Sequence, residues 1–396
     1  MRVVINGAGV AGPTLAWWLS RSDHEVTLVE QAPALRAGGY AIDFWGVGYD
    51  IAERMGLLPR ILAQGYQVQE VRFVDRAGRK AGGFAVDVFS RATGHRFTTI
   101  RRSDLAAIIY GALDGRVETL FGDSVAAVDD RGDHVRVRFD RAPARDVDLV
   151  VGADGLHSRV RRLAFDDEGQ FEVPLGFHVA AFEARGYRPR DELVYVTYGV
   201  PGRQLSRFAM RDDRTLFLAV FRDEYLTSAV PRGDPSTDAG RRAALRGIFD
   251  GLGWECERIL AAMDDAAEIY FDTVSQIRMP RWTNGRVALV GDAAACVSLL
   301  AGEGTGLAMA EAYVLAAELA RAADHAAAFA AYQRRMMPFL AGKQRSAARF
   351  ASSFAPKTAL GIRFRNLVTR LLRIPAVADR FIARDLRDDI VLPPAP

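Results

Sequence analysis

Residues 1–30, MRVVINGAGVAGPTLAWWLSRSDHEVTLVE, decide the fold of the amino-terminal part of the chain. A short apolar run at residues 3–5 predicts a buried parallel strand, and the glycine pattern G-x-G-x-x-G follows it at residues 7–12. A helical run and a second apolar strand, residues 26–29, complete a strand–helix–strand unit that ends in Glu30. This arrangement predicts a bound dinucleotide rather than a phosphate-free turn, and it does not distinguish NAD from FAD.

Each part of this unit has a physical role. Gly7 permits a tight turn, Gly9 lets the backbone approach a pyrophosphate, and Gly12 lets the helix pack closely on the strand. The free N–H groups and partial positive charge at the helix start attract phosphate. Glu30 is spaced along the chain so that its carboxylate would accept hydrogen bonds from an adenosine ribose.

Composition narrows the class of protein. The length of 396 residues predicts two to three domains, and a net charge of +3 argues against a nucleic-acid partner. Cys256 and Cys296 form no C-x-x-C motif, which disfavours structural disulfides and a disulfide reductase. No uncharged run approaches the ~20 residues needed to span a membrane. The amino terminus resembles a core strand rather than a signal peptide, so we expect a cytoplasmic protein with no membrane partner.

The hydrophobic pattern changes along the chain. Alternation over residues 68–88 predicts antiparallel strands around a turn, and residues 165–282 predict a separate, mostly antiparallel sheet. Ser103 is a plausible cap for the helix that follows it. An Ala-rich pattern predicts one long helix over residues 308–332, and the terminal VLPPAP is expected to fray.

Two further motifs follow predicted buried strands. Asp154, in the run GADG at residues 152–155, either binds a ligand at a strand end or caps a turn. Gly291 and Asp292 come directly after the strand at residues 287–290, and a Gly-rich helix start follows at residues 302–306. An Asp at a strand end can bind the polyol of a riboflavin chain, and the helix start could stabilise charge on a reduced flavin. NAD alone would not need this second helix start.

Together, the three motifs resemble the FAD-dependent aromatic hydroxylases, the para-hydroxybenzoate hydroxylase-like group A flavoprotein monooxygenases, over roughly the whole chain. In length, and in GGYAID at residues 38–43, the chain is similar to the compact tetracycline-inactivating and antibiotic-tailoring members. It departs from many members at Ala295, where they have His, and at residues 298–300, where they have proline. These positions border the flavin ring in the family.

The resemblance implies FAD as the bound cofactor and NADPH or NADH as co-substrate. In the family the first motif binds the ADP half of FAD, the second contacts FAD and NAD(P)H, and the third holds the ribityl chain and pyrophosphate. Arg102, in an R-x-x-L pattern with Leu105, matches the arginine near the pyrophosphate. The expected cofactor residues are Gly7, Gly9, Val10, Ala11, Gly12, Glu30, Gln31, Arg36, Gly39, Asp43, Arg102, Val125, Asp154, Gly291, Asp292, Gly302, Gly304, Thr305 and Gly306.

The expected fold is α/β, a discontinuous Rossmann-like FAD-binding domain plus a mostly antiparallel substrate sheet with C-terminal helices. Three parts form the FAD-binding domain, namely residues 1–67, 101–164 and 283–350. Residues 68–100 and 165–282 form the substrate domain, and residues 351–396 form the C-terminal helices.

The resemblance implies a monooxygenase that adds O2 at flavin C4a and delivers one oxygen atom, most simply as a hydroxyl, to an aromatic or polyketide-like small molecule. Two alternatives stay open, a FAD-dependent dehydrogenase or reductase of the same fold and a flavin-bearing protein that sequesters a small molecule. The substrate, the choice between NADH and NADPH, and a monomeric or homodimeric state are not determined by the sequence.

The middle sheet supplies candidate pocket residues but no metal cluster and no identifiable catalytic acid or base. Keeping water from the reactive flavin requires a dry pocket, which alternating aromatic residues would provide. Such residues are also what a sheet core buries in any case. The expected pocket residues are His178, Tyr195, Phe208 and Phe217, with Phe177, Phe182, Tyr198 and Phe221 as further candidate walls.

Overall fold

The computed structural model describes residues 1–36, 38, 40–165, 170–229, 234–372 and 388–396, and for residues 227–229, 350 and 352 it describes the backbone alone. Gly39, one of the expected cofactor residues, lies outside the described residues. In chain order the strands are β1 (Arg2–Asn6), β2 (Glu25–Glu30), β3 (Ala41–Trp45), β4 (Glu70–Val74), β5 (Lys80–Ala85), β6 (Phe97–Arg101), β7 (Glu118–Phe121), β8 (Val125–Asp130), β9 (Val135–Phe139), β10 (Arg145–Val147), β11 (Leu149–Gly152), β12 (Glu172–Arg185), β13 (Val194–Val200), β14 (Arg203–Ala209), β15 (Arg214–Arg222), β16 (Tyr270–Ile277), β17 (Thr283–Asn284) and β18 (Val287–Leu289).

Helices connect and cover these strands. In chain order they are α1 (Ala11–Leu19), α2 (Gly46–Arg54), α3 (Leu58–Gln64), α4 (Asp87–Ala92), α5 (Arg102–Gly111), α6 (Arg159–Ala164), α7 (Asp223–Ala229), α8 (Asp238–Phe249), α9 (Cys256–Ala262), α10 (Asp292–Ala295), α11 (Gly304–Leu319), α12 (His325–Phe354) and α13 (Ala359–Leu371). Two short 3₁₀ turns lie at Met263–Asp265 and Leu299–Ala301.

A six-stranded sheet organises the amino-terminal unit, with the order β17-β18-β11-β1-β2-β7. β1 pairs in parallel with β2 on one side and with β11 on the other, and β11 pairs in parallel with β18. The strand cores are short apolar runs buried on both faces, as parallel strands require. Because neighbouring strands come from three distant parts of the sequence, the predicted discontinuous Rossmann-like architecture is confirmed.

Two smaller ladders flank this sheet. β8, β9 and β10 form a three-stranded antiparallel sheet, and β3 pairs with β6 in an antiparallel ladder of two strands. Strands β8–β10 come from residues 125–147, within the segment that we assigned to the FAD-binding domain.

A seven-stranded sheet with the order β16-β12-β15-β14-β13-β4-β5 forms the second unit. All of its pairs are antiparallel except β13 with β4. One face packs on α8 and α9 through a cluster that contains Phe182, Phe217 and Phe221. The other face, which includes Phe208 and Leu216, packs with Tyr66 and with Phe97 of β6. The large sheet therefore has one face for its own core and one face toward the cofactor unit.

Three expectations about helix ends and the tail were wrong. The helix expected to start after Ser103 begins at Arg102, with Arg101 in extended backbone as its N-cap. The long helix expected over residues 308–332 is two helices, because Asp324 caps a new helix by accepting a hydrogen bond from the Ala327 N–H at 2.8 Å. The tail does not fray. The carbonyl of Val391 accepts from Arg335 at 3.1 Å and that of Pro393 accepts from the Tyr313 hydroxyl at 2.7 Å.

Cys256 and Cys296 are both buried free thiols. Among the described helices, none combines the length and the apolar character that crossing a membrane would need.

Candidate cofactor and substrate site

The glycine loop between β1 and α1 contains backbone contacts that side chains would block. Gly7 has a φ of +114°, and a Cβ built there would lie 2.4 Å from the carbonyl oxygen of Ala153. A Cβ on Gly12 would lie 1.9 Å from the carbonyl oxygen of Gly7. At Gly9 the backbone is open, since the nearest described atom to a built Cβ is Arg102 Nη2 at 3.8 Å. Exposed backbone beside a guanidinium suits a pyrophosphate.

The start of α1 completes this phosphate-binding surface. Val10 occupies the N-cap position and Ala11 is the first helical residue. Within the described residues, no side chain caps this helix start. Its first N–H groups therefore remain available to an anionic ligand, and the helix dipole favours one.

Glu30 lies at the end of β2, where it holds the glycine loop. Its carboxylate accepts a hydrogen bond from the Ala8 N–H at 2.8 Å and another from the Ala32 N–H at 2.9 Å. The carboxylate is half-buried, and its remaining lone pairs can accept from ribose hydroxyls. Gln31 and Arg36, two other expected cofactor residues, are exposed on the segment that follows.

Asp154 caps a turn, which is the structural one of its two predicted roles. Its carboxylate accepts hydrogen bonds from Asn6 Nδ2 at 2.9 Å and from the backbone N–H groups of Arg159 at 2.8 Å and Val160 at 3.1 Å. Asn6 in turn accepts from the Val125 N–H at 3.1 Å. Asp154 and Val125 therefore support the cofactor-side edge of the sheet through Asn6. Asn6, a polar residue that ends an apolar strand, was not predicted.

Arg102 and Asp292 approach each other from opposite sides of the site. Arg102 is the first residue of α5, and Asp292 begins α10. The Arg102 side chain keeps contact with solvent but lies in a hollow surrounded by protein, which favours a lower pKa; the negative charges of Tyr40, Asp292, Tyr270 and Glu30 in their ionised forms outweigh this and raise the pKa. Burial raises the pKa of Asp292, and the Arg102 charge opposes that rise. A cation and an acid thus share a hollow next to the glycine loop.

A buried acid positions the turn that presents Asp292. Gly291 has a φ of +66°, and its N–H donates to Glu311 Oε2 at 3.0 Å. The Tyr332 hydroxyl donates to the same oxygen at 3.1 Å and to the carbonyl of Leu289 at 3.0 Å. Burial raises the pKa of Glu311 well above its usual range. Sequence reasoning missed this residue, although an acid in an otherwise apolar helix was a usable signal.

The second glycine-rich segment lies beside Asp292. A Cβ on Gly304 would lie 3.7 Å from Asp292 Oδ1, and one on Gly302, whose φ is +70°, would lie 3.9 Å from the ring of Trp45. Glu303 occupies the N-cap position of α11 but makes no capping side-chain hydrogen bond in the described region. Gly304 and Thr305 begin α11, so their N–H groups belong to its first turn.

Gly306 has a packing role. A Cβ on Gly48 would lie 2.4 Å from Gly306 Cα, so this pair brings α2 and α11 into backbone contact. Gly306 therefore differs from Gly302 and Gly304, which border the hollow.

Partly buried side chains between the β3–β6 ladder and the seven-stranded sheet, among them Tyr40, Trp45 and Tyr195, line an opening that we call the cleft. Its aromatic lining includes Tyr195 and Phe208, whose rings stack at 4.4 Å, and Tyr66, whose ring meets Phe208 edge-on at 5.4 Å. The Thr99 hydroxyl donates to Asp43 Oδ1 at 2.6 Å. Burial raises the pKa of Tyr195 well above its usual range, with Asp43 adding to the rise and a hydrogen bond to Thr99 opposing it.

A depression of about 590 Å³ adjoins this cleft. It shares Tyr66, Leu193 and Met210 with the aromatic cluster, and most of the rest of its lining is polar or charged: Gln67, Arg188, Arg190, Glu192, Arg211, Asp212 and Asp213. Its volume falls within the range of roughly 300–1,000 Å³ typical of small-molecule sites.

Two of the expected pocket residues lie on the face of the sheet that packs on α8 and α9, away from the cleft. Phe217 is fully buried in the cluster under α8 and α9. His178 stacks between Phe221 at 5.6 Å and Phe271 at 6.0 Å, and its Nε2 lies 3.2 Å from Asp223 Oδ1. The alternation of a strand places neighbouring side chains on opposite faces, and the sequence did not show which face met the cofactor unit. Of the further candidate walls, Phe182, Tyr198 and Phe221 also lie on the helix-covered face, whereas Phe177 does not.

Comparisons with known proteins agree with this geometry. The FAD binding domain family matches residues 1–340. An uncharacterized protein of Mycobacterium tuberculosis, Rv1260, is 41% identical over 326 residues, which are 81% of this chain and 86% of the relative. A flavin-dependent monooxygenase from an unknown prokaryotic organism is 34% identical over 350 residues, 87% of each chain.

Solved structures give the same result. The crystal structure of tetracycline destructase Tet(55) superposes with a TM-score of 0.83 at 30% identity, covering 99% of this chain and 98% of that protein. The predicted family, fold and FAD cofactor are thus confirmed. The chain belongs to the FAD binding domain family of flavin-dependent monooxygenases.

Proposed function

We propose that this flavin-dependent monooxygenase uses NAD(P)H and O2 to hydroxylate an aromatic or polyketide-like small molecule held in the cleft between the β3–β6 ladder and the seven-stranded sheet. The observation that carries the proposal is the aromatic cleft with one hydrogen-bonded polar group, Asp43–Thr99–Tyr195, next to the glycine-lined hollow. The protein would act in the cytoplasm as a monomer or homodimer.

The residues of the hollow fit FAD. The open backbone at Gly9 and the start of α1 would hold the pyrophosphate together with Arg102, and Glu30 would accept from the adenosine ribose. Asp292 would bind the ribityl chain, and the first turn of α11 would face the N1–O2 edge of the flavin. When bound, FAD supplies the electron transfer from NAD(P)H and the activation of O2.

The cleft residues would position the substrate and exclude water. The partly exposed ring of Tyr195, which stacks on the buried ring of Phe208, presents a flat apolar surface to an aromatic ring. The Tyr195 hydroxyl donates its proton to Thr99, whose own proton goes to Asp43, so the Tyr195 oxygen can accept a hydrogen bond from a phenol or enol hydroxyl. Exclusion of water favours transfer of oxygen to the substrate over its loss as hydrogen peroxide.

The comparison with a tetracycline destructase supports the polyketide-like class. Tet(55) is named for an activity on tetracycline, and its fold covers this chain almost completely. The depression of about 590 Å³ beside the cleft has room for a polycyclic ligand.

A substrate screen tests the function directly. NAD(P)H consumption, O2 uptake and peroxide release should be followed for phenols and polycyclic antibiotics, with isotopically labelled O2. We expect a substrate that raises NAD(P)H consumption and gains one labelled oxygen atom. Substrate oxidation without label would instead indicate a dehydrogenase, and tight binding without NAD(P)H consumption would indicate a sequestering protein.

Two tyrosines on β13 give a matched test of the cleft. Tyr195 faces the cleft, whereas the Tyr198 hydroxyl faces the helix-covered side and donates to the carbonyl of Leu252 at 2.7 Å. We expect Tyr195→Phe to lower kcat/KM by up to about tenfold through one lost hydrogen bond and to increase peroxide release. Tyr198→Phe should leave both unchanged, and equal effects of the two variants would contradict the assignment of the cleft.

The cofactor assignment predicts that Asp292→Ala weakens FAD binding by about tenfold or more, because hydrogen bonds donated to a charged acceptor are worth roughly 1.5–3 kcal/mol. The protein should then lose its yellow colour on purification. Asp140→Ala is the matched control, since that acid pairs with Arg159 at the surface. Full FAD retention in Asp292→Ala would contradict the assignment.

A further inference from the structure

The carboxy-terminal segment, residues 388–396, contacts the elements that surround the second glycine-rich motif. Its carbonyl groups accept hydrogen bonds from Tyr313 on α11 and Arg335 on α12. At its first residue, Asp388 Oδ2 accepts a hydrogen bond from the Val47 N–H at 2.7 Å. The segment therefore links α2, α11 and α12.

Three charged side chains meet where this segment begins, and we call them the Lys343 cluster: Lys343, Glu303 and Asp388. Lys343 Nζ lies 2.7 Å from Glu303 Oε2 and 2.7 Å from Asp388 Oδ1. The side chains of Lys343, Asp388 and Glu303 are only 11%, 12% and 18% exposed, so water screens them weakly. One ammonium and two carboxylates give the cluster a net charge of −1.

The cluster borders the helix start that we assign to the flavin. Glu303 is the N-cap residue of α11, directly between Gly302 and Gly304. A small cavity of about 10 Å³ is lined by Glu303 and Asp388 together with Asp43, Trp45 and Val47. The cluster thus contacts both the segment after β3 and the start of α11.

The electrostatic consequence follows from the position of Glu303. A helix start carries a partial positive charge that stabilises an anion. An acid at the N-cap position competes with that anion for the positive potential, and a neighbouring cation removes the competition. The positive charge of Lys343 therefore offsets the negative charge of Glu303 and preserves the positive potential at the start of α11. The negative charge of Asp388 partly cancels that of Lys343 and so weakens this effect.

We propose that Lys343 and Asp388 are positioning residues that set the reduction potential of the bound FAD through Glu303 and the start of α11. The inference rests on the proposed placement of the flavin at α11. Reduced flavin bears a negative charge at the N1–O2 edge, so added negative charge in the cluster lowers the potential and added positive charge raises it.

The test is a redox titration of the purified holoenzyme and four variants, without substrate. Lys343→Gln changes the cluster charge from −1 to −2, and Asp388→Asn changes it to 0. We expect Lys343→Gln to weaken binding of reduced FAD about tenfold more than that of oxidised FAD, which lowers a two-electron potential by about 30 mV. Asp388→Asn should raise the potential by a similar amount.

The double variant Lys343→Gln/Asp388→Asn separates the effect of the net charge of the cluster from the effect of breaking its ion pairs. It breaks the same ion pairs but restores the net charge of −1, so we expect a potential close to that of the unmodified protein. Arg335→Gln is the matched control on α12, because Arg335 also contacts the tail and pairs with Glu318 but is absent from the cluster. It should leave the potential unchanged.

Shifts of the same sign in Lys343→Gln and Asp388→Asn, or no shift in either, would overturn the proposal. If one single variant fails to fold, the sign of the shift in the other still decides. A protein that binds no FAD would contradict the proposed cofactor site instead, whereas FAD-loaded protein with unchanged potentials would contradict this inference alone.

Discussion

At the scale of single residues, Gly7 combines an unusual backbone conformation with close contact. Its φ is +114°, and a Cβ would lie 2.4 Å from the carbonyl of Ala153. Gly56 shares the positive φ, at +71°, but no described atom lies within 4 Å of a built Cβ. We expect Gly56→Ala to cost about 1–2 kcal/mol of unfolding free energy from backbone strain alone. Gly7→Ala should add about 1–3 kcal/mol of overpacking and abolish FAD binding, as urea unfolding and FAD titration would show. If Gly7→Ala and Gly56→Ala lowered the unfolding free energy equally, the close contact at Gly7 would be refuted.

Glu311 gives a second prediction, about pH. Burial raises its pKa well above the usual range, so the folded state holds a proton that the unfolded state releases once pH exceeds the ordinary value of about 4.3. The contribution of Glu311 to stability is therefore fully present below that value and is lost as pH rises toward its folded-state pKa. We expect the Tm of Glu311→Gln to fall less than that of the unmodified protein as pH rises from about 5 to about 8. Parallel pH profiles would contradict a protonated, buried Glu311.

At the scale of elements, the contact of α2 with α11 predicts that alanine is destabilising at Gly48 but tolerated at Gly306. A Cβ on Gly48 would lie 2.4 Å from Gly306 Cα, whereas a Cβ on Gly306 would make only ordinary contacts at 3.4–3.6 Å with Gly48 and Trp45. We expect Gly48→Ala to separate the helices and cost about 1–3 kcal/mol. Gly306→Ala should be neutral or stabilise the helix by up to about 1 kcal/mol. Thermal unfolding measures both, and a destabilised Gly306→Ala with a tolerated Gly48→Ala would refute the packing geometry.

Some of these strands and helices could be predicted from the sequence, and others could not. Short apolar runs with glycine and acid motifs at their ends identified β1, β2, β11 and β18, because both faces of a parallel strand are buried. The break between α11 and α12 was missed, since Ala-rich sequence on both sides masks a single Asp cap. The faces of β12 and β15 were also unpredictable, because His178 and Phe217 fit either side of the sheet until partners are known. For the site, the sequence predicts the motif residues but not the supporting Asn6, Thr99 and Glu311.

At the scale of the whole molecule, the tail is part of the folded structure. The Tyr313 hydroxyl is buried and donates to the carbonyl of Pro393 at 2.7 Å. We expect removal of residues 388–396 to cost about 1–3 kcal/mol for this buried hydroxyl alone and to weaken FAD binding. Removal of residues 395–396 keeps the Pro393 contact and should change the Tm little. Equal Tm values for the two truncations would show that the tail contributes nothing to stability.

The strand order of the parallel sheet also has a consequence for biosynthesis. β1 and β2 leave the ribosome long before their neighbour β11, and β18 with Asp292 emerges much later still. Such long-range pairing makes folding slow and leaves unpaired strand edges on a nascent chain. We therefore expect FAD to be loaded only after translation ends, so that a limited supply of flavin leaves complete, cofactor-free protein rather than stalled synthesis.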